Sequence, residues 1–350
     1  MTKRERYALG GVVFATVAAG VAHYGGAGHV LAFALATIAL AGLAWIVSLG
    51  TEQVGLRIGP AVTGFLHSTL GNLPEFFVVL FALRARELTV AQSAIVGSIL
   101  ANALFVLGLV IVAGVIRAPD RLMRFSARLP NDTATLLLLA TFIIVLIGLT
   151  IATHDAASHH TTAISVIGAI AILIVYGIWA IQYLRAEQGG PGQQSEQARL
   201  SAPAAIILLA AGAGGSAFVS EWFVDALQPT IETLHISQAF AGLVIVSIAG
   251  NAVENVTGIA MAYRGHSDLA IAVVKNSVAQ IAAFLYPVLV LVSLLTVTTL
   301  TFALAPVYIG ALFGTAVIVW QITGDGEATA FEGAALIATF VILATVAAYE

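Results

Sequence analysis

The chain has no cysteine and very few charged side chains, and each absence limits what it can be. Without cysteine there are no disulfides and no thiol catalysis, although the compartment stays undecided. Only 9% of the 350 residues are charged and 60% are hydrophobic, with a mean hydropathy of +1.01. So few charges cannot coat a soluble globule of this size. The composition predicts a polytopic membrane protein with no soluble domain.

Catalytic constellations are also absent from the apolar runs. No pair of His or Asp there has metallohydrolase spacing, and no nucleophile stands beside a base. We therefore expect neither an enzyme nor a cofactor. In the short polar loop at 154–160, His154, His159 and His160 offer possible metal ligands, but a solvated loop is the favoured interpretation.

Apolar runs recur along the whole chain at about the 20-residue length that crosses a bilayer. Their uniformity does not show the alternation of barrel strands, so an all-α fold is predicted. The eleven predicted spans are 6–23, 28–49, 60–83, 88–116, 133–151, 162–184, 203–224, 237–263, 268–295, 299–320 and 327–349. Basic residues before the first run also resemble a signal peptide, which leaves open whether that helix is retained.

Basic residues are distributed unevenly between the two sides of these spans. Outside segments carry only Arg84 and Arg86 if the N-terminus is inside, and Lys275 falls within a span. The other eleven of the fourteen lie inside: Lys3, Arg4, Arg6, Arg57, Arg117, Arg121, Arg124, Arg128, Arg185, Arg199 and Arg264. This asymmetry predicts a cytoplasmic N-terminus and an outside C-terminus. We expect the membrane to be a prokaryotic inner membrane.

A short polar motif interrupts the apolar runs twice, as 71–75 (GNLPE) and as 250–254 (GNAVE), 179 residues apart. In each copy the Asn and the Glu are three residues apart and share a helix face. A Glu at membrane depth costs a few kcal/mol and indicates function. Two such residues, Glu75 and Glu254, in matched positions weigh against a protonated structural role. With Asn72 and Asn251 they offer the oxygen ligands that suit Ca²⁺, Mn²⁺ or Na⁺.

The motifs also carry residues that weaken a helix, and polar stripes follow them. Pro74 deprives the Leu70 carbonyl of its helical partner, and glycines at 71 and 250 permit local unwinding. The next span in each half places hydroxyl and amide groups on one helix face. These residues are Ser98 and Asn102 in the first half, and Ser277 and Gln280 in the second.

The third and eighth spans, which hold the motifs, run in opposite directions through the membrane. This predicts an inverted-topology repeat whose halves meet at a midplane site. We expect a peripheral first helix within 1–27, an N-terminal half at 28–184 and a C-terminal half at 203–350. The hydrophilic, Gly- and Gln-rich stretch 185–202 would be a cytoplasmic linker.

The motifs resemble those of the calcium/proton exchangers of the Ca²⁺/cation antiporter superfamily over nearly the whole chain. They are Gly50–Glu52, Gly71–Glu75, Gly97–Asn102, Gly250–Glu254 and Asp268–Gln280. By this resemblance a peripheral helix precedes two five-helix halves. Glu75 and Glu254 would bind Ca²⁺ or a related cation and exchange it for protons. The supporting ligands would be Asn72, Asn251, Ser98, Asn102, Ser277 and Gln280.

Several positions depart from the family pattern. Pro74 replaces a small residue, Asn255 a His, His67 an Asn and Ala101 a Ser. His67 lies eight residues before Glu75 on the same face and could relay protons, although a lone interfacial His is more often structural. Lys275 could repel a divalent ion, pair with Glu254, or snorkel to the inside surface.

Two rival functions remain open at this point. The same fold could carry Na⁺, K⁺ or Mn²⁺ against protons, and Lys275 gives that alternative its support. A passive cation channel could also use carboxylates, although inverted copies favour a transporter. The expected partners are a cation, protons and the lipid bilayer, with no nucleic acid; the oligomeric state is left open.

Overall fold

The computed structural model describes residues 2–55, 57, 69–187 and 199–350, and its side-chain description excludes residues 128, 129, 186, 187, 253 and 254. Within these ranges the chain is almost entirely helical. The helices are α1 Lys3–Tyr24, α2 His29–Gly55, α3 Leu73–Arg84, α4 Leu88–Arg117, α5 Arg128–Ala152, α6 Thr161–Glu187, α7 Ala202–Leu234, α8 Gln238–Gly250, α9 Ala252–Tyr263, α10 Ser267–Ser293, α11 Pro306–Thr323 and α12 Ala330–Ala348.

The helices reproduce the predicted spans closely. Nine helices in the described part of the chain are long and apolar enough to cross a membrane, and α8 with α9 forms a further span bent by 59°. The third predicted span continues into α3, but its residues 60–68 lie outside the described ranges. The tenth prediction began too early. Residues 299–305 are not helical because their backbone bonds other elements, as when Phe302 N–H donates to Ser165 Oγ over 3.1 Å.

The first helices of the two halves, α2 and α7, pack tightly and antiparallel. Gly50 lies against the Leu209 backbone, and Gly215 lies against Leu43. A Cβ on Gly50 would approach Leu209 Cα to 3.0 Å, so the absence of a side chain lets the backbones meet. Antiparallel packing of equivalent helices is what an inverted repeat requires. The peripheral α1 adds a small-residue face to this pair, with Gly20 under the Trp222 ring.

In the part of the chain that the structure describes, three helices contain a π-helical segment, and two of these occupy matched positions. Ala101–Val106 lies in α4 and Ile281–Leu285 in α10, close to 179 residues apart. The third, Ala241–Val246, lies in α8. Segments of π-helix inside α-helices are frequent at functional sites. The matched pair therefore indicates where each half departs from regular α-helix near a candidate site.

Two sets of polar contacts join segments that lie at the ends of the helices. In the first, Arg199 donates to Glu5 Oε1 over 2.9 Å, and its backbone N–H donates to Gln53 Oε1 over 2.7 Å. In the second, Arg124 bonds Glu327 Oε1 over 3.2 Å. We call these the Arg199 clasp and the Arg124 clasp. In each clasp, the joined segments are separated along the chain by an even number of predicted spans. The predicted topology therefore places them on the same side of the membrane.

The Arg124 clasp is built on a short antiparallel pair, β1 Met123–Arg124 with β2 Glu327–Ala328. Arg124 also contacts Asp120, and this ion pair lowers the pKa of the Asp120 carboxyl. The Ser126 N–H donates to Asp268 Oδ1 over 2.6 Å, which adds the start of α10. The clasp therefore joins the ends of α4, α5, α10, α11 and α12.

Gly97 of α4 gives the first test of this packing. A Cβ there would lie 2.5 Å from the Cα and the carbonyl oxygen of Leu243, both of them backbone atoms. We expect Gly97→Ala to cost about 1–3 kcal/mol through overpacking and to lower the melting temperature in detergent, followed by size-exclusion chromatography. Gly177→Ala is the control, because a Cβ there meets nothing within 4 Å. Equal melting of the two variants would contradict the close approach.

Candidate functional site

Both motif asparagines lie at helix breaks. Asn72 has φ −83° and ψ 4°, and Asn251 has φ −105° and ψ 15°, so each interrupts its helix in the bridge region. The helix resumes at the following residue, which places Glu75 and Glu254 in the first turn of α3 and α9. Pro74 lies in that first turn and not in a helix interior as predicted, because the helix already stops at Asn72, so its missing N–H costs no helical bond.

The break brings the two halves together around Glu75. Glu75 is 2% exposed, and an added Cβ on Gly250 would lie 3.8 Å from Glu75 Cβ. Asn251 Nδ2 donates to Ser98 Oγ across the halves over 3.1 Å and to the Ser247 carbonyl over 3.0 Å. The structure therefore places Glu75, Asn251 and Ser98 in one buried region. The backbone of Glu254 is in α9, but its side chain lies outside the description.

The remaining predicted residues are buried on the helices around this region. Asn102 is fully buried in α4 and donates through Nδ2 to the Ser98 carbonyl over 2.9 Å. Asn72, Ser277 and Gln280 are also buried. His67, the predicted proton relay, lies outside the described residues.

The region is rich in oxygen atoms that lack a hydrogen bond. Among the described residues, Asn102 Oδ1, Asn251 Oδ1 and Ser277 Oγ are buried and make none. Leaving a buried acceptor unsatisfied costs about 1–3 kcal/mol, and carbonyl and hydroxyl oxygens are ligands of hard cations. These oxygen atoms therefore suit a desolvated cation such as Ca²⁺ or Na⁺ as ligands.

Lys275 is buried close to this region but points to another helix. It is 2% exposed, and its Nζ donates to Thr323 Oγ1 over 3.3 Å at the end of α11. Thr323 in turn donates to the Val319 carbonyl over 2.7 Å. None of the ion pairs among the described side chains includes Lys275. Its predicted pairing with Glu254 falls on a side chain that is not described.

Sequence reasoning missed one aromatic neighbour of the site. The Tyr176 hydroxyl of α6 lies near the side chains of Thr69 and Gln280. Tyr176 also packs on the Phe284 ring, with centroids 5.5 Å apart. Tyr176 belongs to no recognisable motif. The only signal in the sequence was a hydroxyl group within an apolar, membrane-spanning stretch.

The histidine loop is a short capped turn. His154 has a left-handed backbone, and the following residues Ala156–His160 make a 3₁₀ turn capped by Asp155. No group of three or more His, Cys, Asp or Glu in the described ranges is arranged to hold a metal ion.

The fold and the site together define a multi-pass membrane protein with a buried, acceptor-rich region between two broken helices. The family model described as sodium/calcium exchanger protein matches residues 28–183 and again 204–349. The chain belongs to this family. The two matched ranges cover most of the chain.

Curated relatives resemble the chain over most of its length. A vacuolar calcium ion transporter of Schizosaccharomyces pombe is 31% identical over 319 residues, which cover 89% of this chain and 77% of the relative. A Ca²⁺/H⁺ antiporter of Aphanothece halophytica is 28% identical over 330 residues, with 89% and 88% coverage.

Solved structures share the fold. Native YfkE matches with a TM-score of 0.79 and 26% identity, over 97% of this chain and 98% of that one. The H⁺/Ca²⁺ exchanger CAX matches with a TM-score of 0.80 over 99% and 92%, but at 14% identity it shows the fold alone. The predicted all-α, polytopic membrane fold is confirmed.

Ser98 gives a test of the site. Ser98→Ala removes the acceptor for Asn251 Nδ2, so the amide loses the bond that holds it across the halves. One such bond is worth about 1 kcal/mol, and we expect about a five-fold weaker Ca²⁺ affinity by isothermal titration of the purified protein. Ser216→Ala is the matched control, because Ser216 is buried but bonds only the Gly212 carbonyl within α7. If the two variants bound Ca²⁺ with equal affinity, Ser98 would not belong to the site.

Proposed function

We propose that the chain is a secondary active antiporter that exchanges Ca²⁺ for protons by alternating access. The observation that carries this proposal is the buried Glu75 packed against Gly250, with Asn251 and Asn102 of the neighbouring helices both bonded to Ser98 and both keeping an unpaired amide oxygen, where the two halves meet. The names of the relatives support the same choice of ions. Under this proposal the cation is the cargo, the proton is the counter-ion, and no cofactor takes part.

Coupling follows from the cost of burying a carboxylate. A buried anion is expensive unless a cation or a proton neutralises it. Glu75 and Glu254 therefore hold either protons or the cation, and the two exclude each other at the same oxygens. Asn72, Asn251, Ser98, Asn102, Ser277 and Gln280 would supply neutral oxygens to the dehydrated cation. Transport then needs only that this site faces one side of the membrane at a time.

We further propose that residues 28–184 and 203–350 are the two transporting halves, joined by a linker at 185–202, with 1–27 as a peripheral helix. Two separate matches of one family model, at 28–183 and 204–349, support this division. The basic residues support an N-terminus on the cytoplasmic side, where both clasps would then lie. A prokaryotic inner membrane remains our expectation.

The two glutamates give the decisive experiment. We expect Glu75→Gln and Glu254→Gln each to reduce proton-gradient-driven Ca²⁺ uptake into proteoliposomes to background, because an amide can neither release a proton nor neutralise a cation. Glu221→Gln is the matched control, since Glu221 is exposed on α7, and it should transport like the wild type. Full exchange by either site variant would refute the proposal. Ca²⁺ flux that ignores the proton gradient would instead indicate a channel.

The alternative cargo is Na⁺, K⁺ or Mn²⁺, and the buried Lys275 is the observation that favours the two monovalent ions among them. A positive charge near the site repels a divalent ion more strongly than a monovalent one. Its anchorage on Thr323 directs that charge towards α11, which is why Ca²⁺ remains the first proposal.

A cation panel with Lys275→Val separates these alternatives. We expect wild type and variant to share the same order of cations with Ca²⁺ first, and the variant to need less Ca²⁺ for half-maximal uptake because repulsion is removed. Lys275→Met controls for lost volume. A wild type that prefers Na⁺ or K⁺, and a variant that switches to Ca²⁺, would establish the alternative.

A further inference from the structure

A cavity of about 540 Å³ opens between the start of α5 and the end of α11, apart from the transport site. Pockets of a few hundred cubic ångströms are the usual size for small ligands. Its lining consists of Asn131, Thr135, Val317, Trp320, Gln321, Gly324 and Asp325. The cavity lies where both helices reach the membrane surface of the Arg124 clasp.

The polar part of the cavity favours a positive charge. Asp325 contributes a carboxylate, and Asn131 and Gln321 contribute amides. The cavity also receives the C-terminal end of α11, whose carbonyls carry the negative pole of the helix. None of the described residues that line it is basic. Carboxylate, amide oxygens and helix C-terminus together suit an ammonium group.

Apolar, exposed faces of α11 and α5 continue from the cavity, and we call the cavity together with these faces the groove. On α11, Gly310, Gly314, Val317 and Gln321 recur at intervals of four, three and four residues and share one face. A Cβ added at Gly310 or Gly314 would meet nothing within 4 Å, so this face is open. Beside it Phe313 is 53% exposed.

The opposite wall on α5 shows the same order. Asn131, Thr135, Leu138 and Phe142 follow the same intervals, from a polar end to an apolar one, and Phe142 is 64% exposed. Trp320, which is 54% exposed beside the cavity, is a residue type enriched at the headgroup level of membranes. The groove is thus polar at the surface and apolar at depth, as an amphiphile is.

We propose that this groove binds one phospholipid with a primary ammonium headgroup, of the phosphatidylethanolamine class. The ammonium lies against Asp325 and the end of α11, and an acyl chain follows the two apolar faces. A primary ammonium donates up to three hydrogen bonds, whereas a quaternary choline donates none. An anionic glycerol headgroup brings no positive charge to offset the carboxylate. The site does not depend on which cation is transported.

Native mass spectrometry of the full-length protein tests the headgroup preference. Phosphatidylethanolamine, phosphatidylcholine and phosphatidylglycerol with identical acyl chains compete for binding, and we expect the first to be retained about five-fold better, as one charge-assisted hydrogen bond allows. Asp325→Asn should remove this preference. Asp132→Asn is the matched control, because Asp132 is exposed in the same first turns of α5 but does not line the cavity.

Fluorescence locates the bound lipid. With Trp45, Trp179 and Trp222 changed to Phe, Trp320 becomes the sole tryptophan, and bromine-labelled phosphatidylethanolamine should quench it at a lower mole fraction than labelled phosphatidylcholine. Free phosphoethanolamine should not compete, because it lacks the acyl chains. Equal retention of the three lipids, or equal effects of Asp325→Asn and Asp132→Asn, would overturn the proposal. If the triple variant fails to fold, the mass-spectrometric comparison on single variants decides alone.

Discussion

The rest of this structure depends on how polar atoms are kept inside a helical bundle surrounded by lipid. Within hydrocarbon every backbone group must find its partner in the protein, and regular helices accomplish this almost everywhere. Asn72 and Asn251 are the described places where two helices stop and restart. Each break sets a Glu in the first turn of the next helix, and at the second break the Asn251 amide donates to Ser98 of the first half.

The two halves share this plan without being equal. The π-helical segments Ala101–Val106 and Ile281–Leu285 stand in matched positions, and α2 packs antiparallel on α7. The charges differ, since Lys275 on α10 has no basic counterpart on α4. Its bond to Thr323 anchors α10 to α11 through a long side chain. A symmetric plan thus carries an asymmetric charge.

Much of the fold could be predicted because a helix that crosses the bilayer must be apolar over about 20 residues. Apolar runs gave nearly all helices, and the repeated motif indicated the two halves. The sequence could not predict that residues 299–305 leave the helix, because the reason is a tertiary bond between Phe302 and Ser165. The same holds for Tyr176, whose hydroxyl reaches Gln280 only once α6 and α10 are packed. Motif residues could be named in advance, whereas their non-motif neighbours depend on packing.

The two clasps have a mechanical consequence. The Arg199 clasp fastens α1, α2 and α7, whereas the Arg124 clasp fastens α4, α5, α10, α11 and α12, and the two share no residue. If one group of helices moves past the other, none of these hydrogen bonds breaks. If helices within one group move past each other, the hydrogen bonds that join them break. The close contact between α2 and α7 lies inside the first group, so relative motion of those two helices would break both that contact and the Arg199 clasp.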